Sequence, residues 1–198
     1  MIFKHLQSGL AVDDRYFDSM YSRRMRHVAA FHFTPVAVAQ AAAQYLVDKP
    51  GARVLDIGSG AGKFCMIGAA CTQGQFTGVE QRPSLHRLSE RLSRRYALPN
   101  VRFIHANITS IDIQAFDAVY FFNAFQENVI QSDPIDHSVC LDKSLYRLYS
   151  QYVRSQLAAM PAGTRLATYF SYGDEVPDSF RVMDTDFEGK LKLWKKPG

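Results

Sequence analysis

The sequence predicts a single α/β domain, and three observations carry that prediction. Val54, Leu55 and Ile57 form a short apolar run that stops at Gly58, Gly60 and Gly62 before Lys63-Phe64-Cys65-Met66-Ile67, the pattern of a buried strand, a tight turn and a helix. Gln75 to Glu80 reads as another strand, ending in a carboxylate about twenty residues beyond the first, where an α/β nucleotide fold places the group that grips ribose hydroxyls. Strand-like runs then keep alternating with helical periodicity to the C-terminus. The 198 residues, 47% of them hydrophobic, suffice for one sizeable core, with residues 1–50 as a helical cap on a core over 51–198.

Taken in order, Tyr16, Phe17, Met20, Tyr21 and Met25 recur at helical spacings and predict one amphipathic helix from Asp14 to Ala30. Thr34 is placed to cap, and Pro35 to begin, an alanine-rich helix that runs to Leu46 and is stopped by Lys49-Pro50-Gly51. Lys63 to Cys71 is a helix, and Pro83 to Tyr96 a basic one with Leu85, Leu88, Leu92 and Tyr96 on one face. Val101 to His105 and Phe116 to Phe122 are the third and fourth strands, the latter apolar enough to be covered on both sides. A polar loop over 128–140 precedes a long helix from Leu141 to Met160, whose core stripe reads Leu141, Leu145, Leu148, Tyr152 and Leu157. Thr164 to Ser171 is a fifth strand, and Phe180 to Asp184 and Lys190 to Trp194 alternate around Glu188-Gly189 as an antiparallel hairpin.

The glycine spacing separates two cofactor classes. A dinucleotide fingerprint needs its third glycine three residues after the second, and that position is Lys63. The run Asp56-Ile57-Gly58-Ser59-Gly60-Ala61-Gly62 instead resembles the first motif of class I S-adenosylmethionine-dependent methyltransferases. The resemblance extends from about residue 31 to the C-terminus. It implies a three-layer sandwich with a mostly parallel seven-stranded sheet ending in an antiparallel hairpin, preceded by N-terminal helices. One crossover is shortened, because Tyr172 to Ser179 is too little chain for a full helix.

The resemblance also implies S-adenosylmethionine as cofactor. Asp56, Gly58, Ser59, Gly60 and Gly62 shape its methionine side, Thr34 touches that end, and Glu80 accepts the ribose hydroxyls. Gln81, Asn107 and Ile108 complete the pocket, with Asn107 standing where such families carry an aspartate and accepting the adenine amino group through its amide oxygen. Asn123-Ala124-Phe125 leaves the fourth strand at the position facing the transferred methyl group. Asn123 is expected to accept an N–H bond there, and also lies beside the cofactor, while Phe125 supplies an apolar wall. Asn123-Ala124-Phe125 is similar to the Asn-Pro-Pro-Tyr segment of enzymes acting on exocyclic or amide nitrogens, and, with Gly78-Val79-Glu80, to pieces of the histone lysine methyltransferases outside the SET class. Both point to a nitrogen acceptor, a small molecule or a protein amine.

Methyl transfer from a sulfonium needs positioning and exclusion of water, so no metal or covalent nucleophile is required, and the scattered histidines offer no metal spacing. A nicotinamide-dependent oxidoreductase and a non-catalytic nucleoside-binding scaffold are the competing classes. The three cysteines lack pairing motifs and fit a cytoplasmic protein, and apolar stretches are broken by charge well short of a membrane span. The formal charge of +4 and the cluster Arg23, Arg24, Arg26 leave nucleic acid as a partner class only weakly indicated. The Tyr16 to Arg26 helix and the 128–140 loop are expected to cover the acceptor side, and oligomeric state is not legible.

Overall fold

The computed structural model describes residues 1–130 and 134–198. Its elements in chain order are α1 (Ile2–Gln7), α2 (Asp14–Asp18), α3 (Arg23–His32), α4 (Val36–Leu46), β1 (Arg53–Ile57), α5 (Lys63–Cys71), β2 (Gln75–Glu80) and α6 (Pro83–Arg95). They continue with β3 (Val101–His105), β4 (Ala118–Phe122), α7 (Lys143–Ala159), β5 (Arg165–Tyr169), β6 (Arg181–Asp186) and β7 (Leu191–Lys195), with single 3-10 turns at Ile108–Ser110, Ile113–Ala115 and Gln126–Asn128. The strands form one sheet in the order β3-β2-β1-β4-β5-β7-β6. The first five are parallel, and β7 and β6 pair antiparallel at the end. This is the seven-stranded α/β sheet that the resemblance implied.

Two-residue alternation along each strand divides the core into layers. Val54, Ala118, Tyr120 and Ala167 join α1, α4, α5 and α6 on one face, whereas Leu55, Ile57, Val119, Phe121 and Leu166 join α7 and the 3-10 turns on the other. The N-terminal helices share the first of these cores: Phe3 packs on Phe17 and on Tyr96, with ring centroids 5.9 and 4.9 Å apart. The order in which strands are added reverses between β1 and β4, with β2 and β3 on one side of β1 and β4 and β5 on the other, so the carboxyl ends of β1, β2 and β4 open a crevice where α/β sheets bind ligands.

Three expectations about elements need correction. The helix expected over 14–30 is two helices, because Asp13 caps α2, the chain turns at Ser19–Ser22, and Ser22 caps α3 through the Met25 N–H. Thr34 does not cap α4. Pro35 is its N-cap, and the free Val36 N–H is taken instead by Asp14 Oδ1 from α2 at 2.9 Å. The core stripe of α7 is Tyr149, Ser150, Val153 and Leu157, while Leu148 is 52% exposed. The shortened crossover is confirmed, since no helix lies between β5 and β6.

Candidate functional site

All three loop glycines take positive φ, at +74° for Gly58, +55° for Gly60 and +80° for Gly62, so the turn requires them. They do different work. A Cβ on Gly62 would lie 2.3 Å from the Phe103 ring, which makes it the glycine that lets α5 approach the sheet, and it lines neither of the two cavities that its fellow glycines border. Gly58 and Gly60 border two adjoining cavities above the sheet. The larger, about 340 Å³, extends past Glu80, Gln81, Asn107, Ile108 and Tyr149 to Asn123 and Gln126. The smaller, about 30 Å³, is lined by Thr34, Asp56, Ser59, Lys63 and Tyr120 among others. His32, Phe33, Gly58, Gly60 and Phe122 border both.

The loop amides are already committed inside the protein. Gly58 and Ser59 N–H both donate to the Val79 carbonyl at 3.0 and 2.9 Å, Gly62 N–H donates to Ser59 O, and Gly60 N–H donates to Glu80 Oε2 at 2.9 Å. A pyrophosphate would need such N–H groups free, so the loop is a poor dinucleotide cradle. Glu80, 5% exposed, also accepts the Arg82 N–H through Oε1 at 2.7 Å. Each carboxylate oxygen thus keeps acceptor capacity toward the large cavity it lines. Burial pushes its pKa up, against the two N–H donors and Arg82.

Asp56 is 3% exposed, and its carboxylate receives the Cys65 thiol at 3.3 Å. Burial, with Glu80 adding repulsion, raises its pKa to about 7 despite that thiol. It lacks a cationic partner among the described residues, and beside it the buried Ser59 hydroxyl has no hydrogen-bond partner. An α-amino acid end supplies both: an ammonium for Asp56 and a carboxylate for a hydroxyl donor. The chemistry of this donor set therefore fits S-adenosylmethionine, whose methionine end would find Asp56 and Ser59 and whose ribose would find Glu80.

Thr34 lines the small cavity, its hydroxyl shares a hydrogen bond with Tyr120 OH at 2.9 Å, and Tyr120 stacks on Phe64 at 3.8 Å. Asn107 departs from expectation. Its Oδ1 accepts both the N–H and the hydroxyl of Thr109, at 3.0 and 2.9 Å, and so has no lone pair left for an adenine amino group. Its Nδ2 instead donates to Tyr149 OH at 2.8 Å, which makes Asn107 the cap of the 108–110 turn and a brace for α7. Gln81 and Ile108 line the large cavity.

Asn123 has φ +43°, a left-handed conformation that asparagine tolerates better than most residues. It lines the large cavity, with Nδ2 donating to Gln126 Oε1, and Gln126 in turn donates to Tyr172 OH at 2.9 Å. Phe125 lines the same cavity, yet it is 6% exposed and packed between Phe121 and Tyr149, so it is a core wall rather than a free stacking surface.

The cover also differs from expectation. Segment 16–26 does not reach the cavity. Phe31, His32 and Phe33 at the end of α3 do, together with Ile130 and Ile135, whereas residues 131–133 of the expected loop lie outside the described residues. Two charged side chains escaped sequence reasoning. Arg82, 4% exposed, sets its Nε 3.2 Å from Asp136 and its Nη2 3.0 Å from Glu127, the latter an ion pair in contact without the alignment of a hydrogen bond. Lys63, 3% exposed, pairs with Asp14 and Asp18, each at 2.7 Å. Lys63 carried a signal in that it replaces the dinucleotide glycine, but Arg82 carried none.

No curated protein matches the chain in sequence. Among solved structures it resembles an RNA methyltransferase from Salinibacter ruber in complex with S-adenosylhomocysteine, at 19% identity and TM-score 0.58 over 83% of this chain and 93% of that one. It also resembles TrmN from Thermus thermophilus, at 20% identity and TM-score 0.60 over 88% and 53%. A third is a SAM-dependent methyltransferase from Thiobacillus denitrificans, also with S-adenosylhomocysteine, at 19% identity and TM-score 0.51 over 75% and 55%. The chain spans about half the length of several solved structures that it matches, 43%, 51% and 53% of three of them. A family model described as a methyltransferase domain matches residues 48–183, which include the glycine loop, the strand β2 with its terminal glutamate and the strand that delivers Asn123. The chain belongs to this methyltransferase domain family, and its cofactor is S-adenosylmethionine.

Proposed function

We propose that the chain transfers a methyl group from S-adenosylmethionine to a nitrogen nucleophile presented at the mouth of the large cavity, between the end of α3 and residues 123–127. When bound, the cofactor supplies a methyl carbon made electrophilic by its sulfonium. The protein's share is placement and exclusion of water. Asp56 and Ser59 hold the methionine end, and Glu80 holds the ribose. Apolar Ile108 and Phe125 favour a planar base in the large cavity, and Phe33 and Phe122 screen the junction of the two cavities from solvent.

The observation that carries the nitrogen reading is Asn123, held at positive φ on the cavity lining with its Nδ2 committed to Gln126. That commitment leaves Oδ1 as the atom that accepts an acceptor N–H, orienting the nitrogen lone pair toward the methyl group. A nitrogen methylated there would have to give up a proton. His32, which borders both cavities, is the titratable side chain at that junction.

The test uses S-adenosylmethionine labelled in its methyl group, incubated with the protein and fractionated extract, with products read by mass spectrometry. Label on nitrogen is expected, and label confined to oxygen or carbon overturns the reading. Asn123→Ala should lower the rate about tenfold to a thousandfold with cofactor affinity unchanged. A wild-type rate on the true substrate removes Asn123 from the chemistry.

A further inference from the structure

We infer that the exposed face of α3 is a docking surface for single-stranded RNA, and that it delivers a base to the cavity mouth. As a statement of substrate class this rests on the methyl-transfer reading above. At about 100° per residue, Arg26, Arg23, His27, Phe31 and Arg24 fall within one side of the helix, while Met25, Val28, Ala29 and His32 fall on the other. Burial follows that division. Ala29 is the one buried residue of α3, Met25, Val28 and His32 are half-buried, and the three arginines, His27 and Phe31 are exposed.

Two features of that face are unfavourable for folding alone. Arg23, Arg24 and Arg26 crowd the first turn, where the helix dipole already presents positive charge, and α3 has no acidic residue there to offset them. None of the three makes an ion pair among the described residues, although the chain forms such pairs elsewhere. Phe31, a large apolar ring 68% exposed, sits one turn past His27, with ring centroids 5.5 Å apart, and lines the large cavity. A polyanion removes the first penalty, and stacking of a planar base removes the second.

Arg23 lies about 12 Å along the axis from Phe31, so phosphates held at the start of α3 leave the next part of the strand over the cavity. A polyphosphate backbone with an unstacked base combines both needs, and an acidic peptide meets only the first. RNA loops present unpaired bases without the cost of extrusion from a duplex, which selects RNA over double-stranded DNA. Asn123 beyond the mouth then meets a base nitrogen.

The experiment is fluorescence anisotropy of a labelled single-stranded RNA oligonucleotide with the full chain across a salt series, with calorimetry of S-adenosylmethionine run on the same samples. Arg23→Ala/Arg24→Ala/Arg26→Ala is expected to weaken RNA binding at least tenfold and to reduce the salt slope by about two, at about 0.7 per lost phosphate contact. The same variant should keep or raise its melting temperature and leave cofactor affinity unchanged. Phe31→Ala is expected to weaken binding about fivefold to a hundredfold with little change in salt slope. The inference is overturned if the triple variant binds RNA as wild type does, if single-stranded DNA binds more tightly, or if an acidic peptide of equal charge competes equally. Calorimetry keeps its failure distinct from failure of the cofactor reading, since loss of cofactor binding in the wild type would sink that reading alone.

Discussion

At the scale of single residues, Asp56 would join stability to cofactor binding if it holds the ammonium as proposed. Its pKa in the folded state, about 7 against 3.8 in the unfolded chain, means the folded protein holds a proton that the unfolded chain has already released. Raising the pH from about 4 to about 7 therefore removes stability from the cofactor-free protein, and the loss levels off above that window. Glu80, raised in the same direction, adds to the slope. The cofactor ammonium favours the ionised carboxylate, so affinity should climb as pH rises through 6 and 7 and then plateau, with proton release near pH 6. Calorimetry in buffers of different ionisation enthalpy measures both, and Asp56→Asn should abolish the pH step. A wild-type affinity flat from pH 5 to 8 would show that Asp56 does not meet the ammonium. The glycines sort in the same way. A Cβ at Gly60 meets the Phe33 ring at 3.1 Å, on the border of both cavities, whereas one at Gly58 meets Ala124 Cβ at 2.5 Å and one at Gly62 meets Phe103 at 2.3 Å. Gly60→Ala should therefore weaken cofactor binding with modest loss of stability, and Gly62→Ala should unfold the protein more readily than it weakens the site, as equilibrium dialysis and urea titration would separate.

At the scale of elements, α2 is a five-residue helix that two of its own carboxylates fasten to others. Asp14 takes the free Val36 N–H of α4 and, with Asp18, the Lys63 ammonium at the start of α5. Burial raises the Asp18 pKa even against Lys63, which shows how much desolvation the pair must offset. Lys63→Met strands a buried carboxylate, so stability should fall by about 3 kcal/mol in urea unfolding. A loss below about 0.5 kcal/mol would class this cluster with ion pairs that contribute little. The phase of α7 is testable in one comparison: Leu157→Ala, at a fully buried position, should cost about 2–5 kcal/mol, and Leu148→Ala, on the exposed side, under about 0.5 kcal/mol.

For the whole molecule, the cavities are assembled from parts distant in the chain: the end of α3, the loops after β1, β2, β3 and β4, and Tyr149 of α7. A ligand bridging them stabilises the fold by mass action. At a hundred times its dissociation constant, S-adenosylmethionine should add about 2.7 kcal/mol, or roughly 5–11 °C in melting temperature for a chain of this size. A nicotinamide dinucleotide, facing a loop whose amides are already bonded, should produce no shift. An equal shift with both would overturn the assignment of the loop.

Local patterns in the sequence determined the strand-turn-helix at Arg53 to Cys71, the strand ending in Glu80, the basic helix α6 and the final hairpin. Each rests on contacts within a few residues: positive φ at glycine, two-residue alternation, or three- and four-residue spacing. That Asp56, Gly58, Gly60 and Glu80 border the cavities was legible for the same reason, since their spacing in the chain is their geometry. Where two local solutions had similar energy, the tertiary structure decided. Leu148 and Tyr149 both continue an apolar series on α7, and the side that meets the sheet, with Asn107 bonded to Tyr149, selected the second. Thr34 and Asn107 each had a hydroxyl or amide to offer, and partners from distant segments, Tyr120 and Tyr149, bond the Thr34 hydroxyl and the Asn107 Nδ2, while the nearby turn at Thr109 occupies the Asn107 Oδ1. Lys63 and Arg82 became buried charges only because carboxylates from α2 and from residues 127–136 arrive beside them. Hydrogen bonds and ion pairs between distant segments leave no periodic trace along the chain, and these were what the sequence by itself left open.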